Sequence, residues 1–334
     1  EKAKDLVRMA VSTVALKEPL EEPELGIDQT ALVIGGGISG MTSALSLARK
    51  GHRTHLVEKA DELGGQARHL FKTWKGEDIQ AHLKELIAEV EAEPNVKIHL
   101  QTSVSAVDGF VGNFNTTLDN GSEQQTLTHG VTVVATGASE LHPQEYLYGQ
   151  DSRVKTSLEL DRMFQSNDPE LDKVNSATFI QCVGSREPER PYCSRVCCTH
   201  SIQSAMELKK RNPAMNVYIL NRDIRTYGEK ENLYNQAREA GVIFIRYSLE
   251  DKPVVDVKDS GLTVTVTDPI LGQPLEIQTD LLTLATAIVP EKDEQLANFY
   301  KISFNDDGFF AERHAKMGPA EFATDGMFLC GLAH

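Results

Sequence analysis

The chain has 334 residues, with 49 acidic and 34 basic side chains, so its formal net charge is −15. A chain of this length is expected to contain two or three domains and to bury an ample apolar core. The acidic balance excludes nucleic-acid binding through a basic surface. No apolar run approaches the roughly twenty residues that a transmembrane segment requires, and no signal peptide is evident, so a cytoplasmic location is expected.

The first segment, residues 1–27, is predicted to form an amphipathic helix and a linker. The helix is expected over residues 1–18, because the pattern there has the spacing of a helix face. The positions that share this face are Leu6, Met9, Ala10 and Thr13. Pro19 and Pro23 then indicate the linker, since proline interrupts regular structure.

The next segment has the pattern of a dinucleotide-binding β–α–β unit. A short apolar run at residues 30–34 is typical of a buried parallel strand, and it leads into G-x-G-x-x-G and a helix over residues 41–50. Such glycines permit a tight turn, close approach of a pyrophosphate and close helix–strand packing. The helix N-terminus offers free N–H groups to the diphosphate. Glu58 ends the second strand, where it can accept hydrogen bonds from a ribose.

The segments that follow favour FAD as the dinucleotide. A second glycine pair lies just beyond Glu58, as in flavoproteins with two dinucleotide-binding domains, and residues 135–137 resemble the A-T-G that closes their FAD domain. Near the C-terminus, residues 325–331 resemble the strand that returns to the flavin, although Leu332 follows where relatives carry Asp. The predicted FAD-binding residues are Gly35, Gly37, Ile38, Ser39, Gly40, Glu58, Lys59, Gly64, Gly65, Gln66, Val104, Ala135, Thr136, Gly137, Ala287 and Gly331.

Four of the five cysteines are concentrated in one short stretch of the sequence. They are Cys182, Cys193, Cys197 and Cys198. Thiolates are the usual ligands of iron–sulfur clusters, and four of them complete the shell of a 4Fe–4S cluster. Their spacing matches neither the usual ferredoxin run nor a paired zinc knuckle. A redox-active dithiol of Cys193 with Cys197 or Cys198, a structural zinc site and inert thiols are the alternatives.

The chain order predicts an α/β protein in which one domain is inserted in another. The FAD-binding domain is expected over residues 28–147 and again over 277–334, with a second Rossmann-like unit at 148–276. Strands near 177–183, 216–221 and 242–247 alternate with helices in that unit, which predicts a parallel sheet. Its phosphate loop is missing, and the cysteines stand in its place.

These motifs together resemble the A subunit of heterodisulfide reductase. The resemblance rests on GGGISG, ELGGQ, VGNF and CVGSRE followed by PYCSRVCC, and it extends over essentially the whole chain. It implies a thioredoxin-reductase-like fold, and four cysteines that bind a 4Fe–4S cluster close to an FAD that relays or bifurcates electrons. It also implies that the chain works with partner proteins in an electron-transfer complex of the heterodisulfide reductase type or of the ferredoxin and hydrogenase type. Such a chain is expected to form an oligomer and to function in anaerobic metabolism.

The sequence departs from that family in two respects, so not every property of the family is expected of this chain. The chain has no ferredoxin-like C-x2-C-x2-C motifs, and Gln203 stands where some members carry a lysine near the flavin. Three hypotheses follow: a component of an electron-transfer complex, a stand-alone flavin disulfide reductase, and a scaffold that binds its cofactors without redox work. His200, close to the cysteines, is expected to be a solvated residue at a helix start or a hydrogen-bond donor to a sulfur.

Overall fold

The computed structural model describes residues 1–18, 24–258 and 261–334. The predicted N-terminal helix is confirmed over Lys2–Ala15, and all of its side chains are exposed. Pro19 and Pro23, which mark the predicted linker, lie outside the described residues. No helix in the described part of the chain combines the length and the apolar character needed to cross a membrane.

Helices and strands alternate over residues 31–99 and 154–246 of the described chain, and consecutive strands make up most of the rest. The helices are α1 (Lys2–Ala15), α2 (Ile38–Arg49), α3 (Ile79–Ala92), α4 (Ser157–Gln165), α5 (Cys197–Arg211), α6 (Lys230–Glu239) and α7 (Glu294–Tyr300). The strands are β1 (Ala31–Ile34), β2 (Thr54–Val57), β3 (Val96–His99), β4 (Ser103–Phe110), β5 (Asn113–Asp119), β6 (Gln124–His129), β7 (Val131–Val134), β8 (Ala138–Glu140), β9 (Val154–Thr156), β10 (Ser176–Val183), β11 (Asn216–Asn221), β12 (Val242–Arg246), β13 (Val254–Lys258), β14 (Gly261–Asp268), β15 (Gln273–Thr279), β16 (Leu281–Thr286), β17 (Ile288–Pro290) and β18 (Met327–Leu329).

The first parallel sheet is built around β1, in the order β18-β7-β1-β2-β3. Every residue of β1 is buried, as expected for a central strand covered on both faces. The helix α2 packs on this sheet through Met41, Ala44, Leu45 and Ala48, which recur at helical spacing. The last strand, β18, pairs with β7, so the C-terminal segment returns to this sheet.

The second parallel sheet is built around β10, in the order β12-β11-β10-β16-β9. The strands predicted near residues 177–183, 216–221 and 242–247 are confirmed as β10, β11 and β12. Helices α4, α5 and α6 cover this sheet through an apolar core that includes Phe179, Ile202 and Ile219.

The return to the first domain begins later than residue 277. Leu281–Thr286 pairs with β10 on one side and with β9 on the other, so it is part of the second sheet. All six of its residues are buried, because it lies between two strands of a parallel sheet covered on both faces. The boundary expected at 277 therefore cuts through the second unit, and we propose instead that the chain returns after Thr286.

Both crossings between the two sheets run through one antiparallel ribbon. Strand β8 leads from the first sheet toward the second, and β17 leads back. The two pair from Ala138 with Pro290 to Glu140 with Ile288, and Leu141 N–H donates to Ala287 O at 2.8 Å beyond their end. This ribbon brings the carboxyl ends of β7 and β16 close together.

Candidate functional site

The turn after β1 is held by contacts that leave no room for side chains. Gly35 has a φ of +113°, and a Cβ there would lie 2.2 Å from Ala135 O. A Cβ on Gly40 would lie 1.8 Å from Gly35 O. These two glycines are therefore required by the packing of the turn and of α2, whether or not a ligand is bound.

Gly37 differs, because no described part of the protein forbids a side chain there. Its φ is −74°, which any residue adopts, and a Cβ would meet no described atom within 4 Å. Gly37 precedes α2, whose first N–H groups have no partner within the helix. A glycine at an open helix N-terminus fits a diphosphate that approaches the backbone.

The second glycine pair packs directly against the first turn. Gly64 N–H donates to Gly36 O at 2.8 Å, and Gly64 forms an isolated parallel bridge with Gly37. A Cβ on Gly65 would lie 3.3 Å from the Cα of Gly37. Gly64 and Gly65 both have positive φ, at +122° and +52°, so the backbone conformation itself favours glycine.

The acidic residue at the end of β2 connects this turn to the neighbouring loop. Glu58 Oε2 accepts from Gly36 N–H at 2.6 Å, and Glu58 Oε1 accepts from Ala60 N–H at 2.8 Å. Lys59 pairs with Glu291, with 3.4 Å between Nζ and Oε2, at the edge of the same cleft. The carboxylate therefore shapes the turn and also lines the cleft between the glycine turns.

Most of the residues predicted from the sequence line one cleft of about 470 Å³. Those residues are Gly35, Gly37, Ile38, Ser39, Glu58, Lys59, Gly64, Gly65, Gln66, Ala135, Thr136, Gly137 and Gly331. Thr136 Oγ1 is buried there without a hydrogen-bond partner among the described residues. A buried hydroxyl without a partner is costly, so this site fits a polar ligand.

The remaining predicted residues lie at the two ends of this cleft or beneath it. Val104 lines an adjoining cleft of about 550 Å³ that shares Gly35, Glu58 and Thr136 as walls. Ala287 lines a third cavity of about 320 Å³ at the other end. Gly40 lines none of the three; it packs beneath the turn against Gly35 O.

The four cysteines come from three places around the carboxyl end of β10. Cys182 precedes the last residue of the strand and has a φ of +61°, Cys193 lies in the following loop, and Cys197 and Cys198 begin α5. All four thiols are free. The Cys197 and Cys198 thiols point toward the carbonyls of Thr286 and Asp223, at 3.8 and 3.9 Å.

The electrostatics of these thiols show that they are neighbours. Burial, together with the nearby Cys198, Cys182 and Cys193, raises the pKa of Cys197 to about 12. Burial likewise raises the pKa of Cys198 to about 11, with Cys182 and Cys193 contributing. These thiols are thus protonated at neutral pH unless a metal displaces the proton.

No group of three or more His, Cys, Asp or Glu side chains in the described residues is arranged to hold a single metal ion. A structural zinc requires four ligands around one point, so this arrangement does not support the zinc alternative. Each ligand of a cubane cluster binds a different iron, so the ligands surround a larger volume. The cluster itself stays a prediction.

Several buried polar groups beside the cysteines have no partner within the described part of the chain. Gln181, adjacent to Cys182, is fully buried with both amide atoms unpaired. Thr199 Oγ1 and Asn221 Oδ1 are likewise buried and unpaired. Buried polar groups normally have partners, and these three residues lie at the carboxyl ends of β10 and β11 and at the start of α5; β10 and α5 also carry Cys182, Cys197 and Cys198.

The third cavity lies next to the glycine cleft. The two share Gln66, Ala138, Ser139 and Leu332 as lining residues, and Cys197 also lines the third cavity. One residue of the cysteine set therefore lines a cavity that borders the glycine cleft.

Sequence reasoning missed two acidic residues near this cavity: Glu140, which lines it, and Asp161, which contacts the lining residue His200. His200 is not solvated as expected; its Nε2 lies 2.9 Å from Asp161 Oδ2, which also accepts from Phe71 N–H at 3.0 Å. Burial raises the pKa of Glu140, which accepts from Thr156 Oγ1 at 2.8 Å. Single acidic residues on α4 and β8 carry no motif, so only the fold reveals their proximity to His200.

Comparison with known proteins agrees with this arrangement. The family model described as pyridine nucleotide-disulphide oxidoreductase matches residues 29–176. The A subunit of the H(2):CoB-CoM heterodisulfide,ferredoxin reductase of Methanothermobacter thermautotrophicus is 30% identical over 100% of this chain. One of the iron-sulfur A subunits of the CoB--CoM heterodisulfide reductase of Methanopyrus kandleri is 30% identical over 99% of it. Over essentially its whole length, the chain is therefore similar to the A subunits of heterodisulfide reductases.

The chain does not span the whole of these relatives. It covers 64% of the length of the first and 65% of the second. The alignment with the first extends over 429 positions, more than the 334 residues of this chain, so that relative contains internal segments that this chain lacks.

The solved structures confirm the predicted thioredoxin-reductase-like fold. Thioredoxin reductase of Lactococcus lactis matches with a TM-score of 0.62 and 16% sequence identity, over 92% of this chain and 90% of that chain. Identity at this level shows the fold alone, so the chemistry of the cysteines is argued from this chain.

Proposed function

We propose that this chain is the FAD- and 4Fe–4S-containing core of a heterodisulfide-reductase-like electron-transfer complex. The observation that carries the proposal is that the cavity lined by Cys197 borders the glycine cleft and shares lining residues with it. A redox cofactor in the cleft would thereby lie near a centre held by the cysteines. When bound, FAD accepts two electrons and an iron–sulfur cluster carries one at a time.

The glycine cleft has the chemistry to hold the dinucleotide. The N–H groups at the start of α2, including those of Ile38 and Ser39, offer donors and a partial positive charge to the diphosphate. Gly37 leaves the space for it to approach. Glu58 faces the ribose, and Thr136 offers a hydroxyl that lacks a partner in the described structure.

The cysteine set has the chemistry to hold the cluster. Cys182, Cys193, Cys197 and Cys198 supply four thiolates, and the N-terminus of α5 stabilises their negative charge. The name of the Methanopyrus kandleri relative describes that protein as iron–sulfur, which supports the same assignment here. The dithiol alternative requires a thiol with a lowered pKa, whereas burial raises the pKa of Cys197 and Cys198.

The partners of the chain are part of the proposal. The relatives are named as the A subunits of heterodisulfide reductases, so we expect this chain to pass electrons to other proteins of a complex and to assemble as an oligomer. Electron bifurcation, in which one flavin divides an electron pair between two acceptors, stays a prediction.

The test is anaerobic purification with assays for flavin, iron and sulfide and EPR of the reduced protein. We expect about one FAD and four irons per chain. Cys197→Ser should lose iron and the EPR signal while FAD stays bound, because the glycine cleft is formed by the first sheet. Cys330→Ser is the matched control and should keep its iron, since Cys330 contacts Ser43 beside the first sheet.

Two other outcomes would contradict the proposal. A wild-type chain with FAD, a titratable dithiol and no iron would establish the disulfide reductase. Bound flavin that no reductant reduces would establish a scaffold.

A further inference from the structure

The four cysteine sulfurs differ in the charge of the groups that donate hydrogen bonds to them. Arg195 N–H donates to Cys193 Sγ at 3.3 Å. The Ser194 hydroxyl contacts Cys197, and the backbone N–H of Arg225 contacts Cys198. These three donors are neutral.

Cys182 has a charged donor instead. The Nη1 of Arg186 lies 3.9 Å from Cys182 Sγ, at the outer limit for a hydrogen bond to sulfur. The Arg186 guanidinium also pairs through Nη1 with Asp223 Oδ1. Asp223 in turn pairs with Arg225 through its other carboxylate oxygen, at 3.0 Å. A cation and its counter-ion therefore stand beside Cys182 Sγ. The second guanidinium, that of Arg225, interacts electrostatically with Cys193 but donates no hydrogen bond to a sulfur of the set among the described contacts.

Backbone contacts hold Arg186 in this position. Its φ is +58°, which is uncommon for a residue with a side chain. Its N–H donates to Tyr192 O at 3.0 Å, and its carbonyl accepts from Arg222 Nη1 at 2.7 Å. The side chain is only 23% exposed, so the guanidinium is partly shielded from solvent. A fixed, half-buried charge acts more strongly on its surroundings than a solvated one.

The sign of its effect follows from electrostatics. One-electron reduction adds a negative charge to a cluster, and a nearby cation stabilises the reduced form. Charge and hydrogen bonds at the sulfurs are among the factors that set the potential of iron–sulfur clusters. Arg186 should therefore raise the potential, and Asp223, which offsets its charge, should lower it.

We propose that Arg186, opposed by Asp223, sets the reduction potential of the iron–sulfur centre held by the four cysteines. The inference rests on the proposed function, because it requires that the cysteines hold a cluster. Arg186 acts on the cluster through the sulfur of Cys182 and is not itself a ligand of the cluster.

The test is an EPR-monitored redox titration of the anaerobically purified full chain, with dye mediators supplying the electrons. Arg186→Gln keeps an N–H donor and removes the charge; it should shift the equilibrium for one-electron reduction about ten-fold toward the oxidised form, which corresponds to ~59 mV. Asp223→Asn should shift it in the opposite direction. Arg186→Lys should stay near wild type, because it restores the charge. Arg49→Gln is the matched control, since Arg49 pairs with Glu89 on the first domain.

The outcomes separate this inference from the proposed function. Iron content is measured for every variant, so loss of the cluster is distinguished from a change in potential. Wild-type chain without iron would overturn the proposed function and this inference with it. A wild-type cluster whose potential is unmoved in Asp223→Asn, or moves in the same direction in both variants, would overturn the inference alone. This second variant keeps the inference testable if Arg186→Gln fails to bind iron.

Discussion

Gly37→Ala tests whether the glycine at this position is needed for the stability of the fold or for binding of the FAD diphosphate. The φ of Gly37 is −74°, and a Cβ would meet no described atom within 4 Å. Replacing glycine by alanine at such a position typically stabilises a protein by about 0.4–1 kcal/mol, because it restricts the unfolded chain. The melting temperature of the ligand-free chain should therefore stay constant or rise slightly.

The same methyl group should weaken FAD binding strongly. Extra methyl groups in a packed contact typically cost about 1–3 kcal/mol, and losing a hydrogen bond to a charged group costs about 1.5–3 kcal/mol. A combined loss of about 2.8 kcal/mol corresponds to about 100-fold in Kd. The measurement is titration of deflavinated protein with FAD, followed by flavin fluorescence, beside thermal unfolding of the ligand-free chain.

Two control variants make this result interpretable. Gly26→Ala also adds a Cβ that meets no described atom within 4 Å, but outside the cleft, so it should bind FAD normally. Gly40→Ala should destabilise the fold itself, because its Cβ would lie 1.8 Å from Gly35 O. Wild-type affinity in Gly37→Ala would refute the placement of the diphosphate at this turn.

Two further predictions concern the second sheet and the core of the first domain. NAD(P)H alone should reduce the flavin slowly, because a charged loop follows Gly184 where a nicotinamide site needs glycines that open into a helix; fast stoichiometric reduction in stopped flow would contradict this. Burial lowers the pKa of His129 to about 4, below the unfolded value of about 6.5. Its contribution to stability is thus complete above pH 6.5 and is lost as the pH falls toward 4. When the pH is lowered from 7 to 5, the unfolding free energy of the wild type should fall by about 2 kcal/mol more than that of His129→Asn. The measurement is urea titration of both proteins at each pH, and an equal fall in both would show that His129 does not titrate as argued.

The parts of the site that the sequence predicted are those set by local backbone geometry. Gly35, Gly64 and Gly65 have positive φ, a backbone conformation that favours glycine, so the requirement is visible in the sequence itself. The strands β1, β2, β10, β11 and β12 were equally predictable, because buried parallel strands are apolar runs of limited length.

The parts that the sequence did not predict depend on contacts between distant segments. The apolar run Leu281–Thr286 is equally suited to either sheet, and only its pairing with β10 and β9 decides between them. The contact of His200 with Asp161 joins two helices across the second unit, and neither residue belongs to a motif. Long-range pairing of this kind is invisible to periodicity.

The β8–β17 ribbon restricts how the two parallel sheets can move relative to each other. In a protein whose two sheets are joined by loose linkers, the sheets can rotate and change the gap that an electron must cross. Here both chain crossings are hydrogen-bonded to each other, and Gln66 Nε2 also donates to Ala138 O at 3.3 Å, which joins the second glycine loop to the ribbon. A rotation of one sheet would have to distort both strands at once. We therefore propose that the ribbon keeps the distance between the two proposed cofactor sites constant.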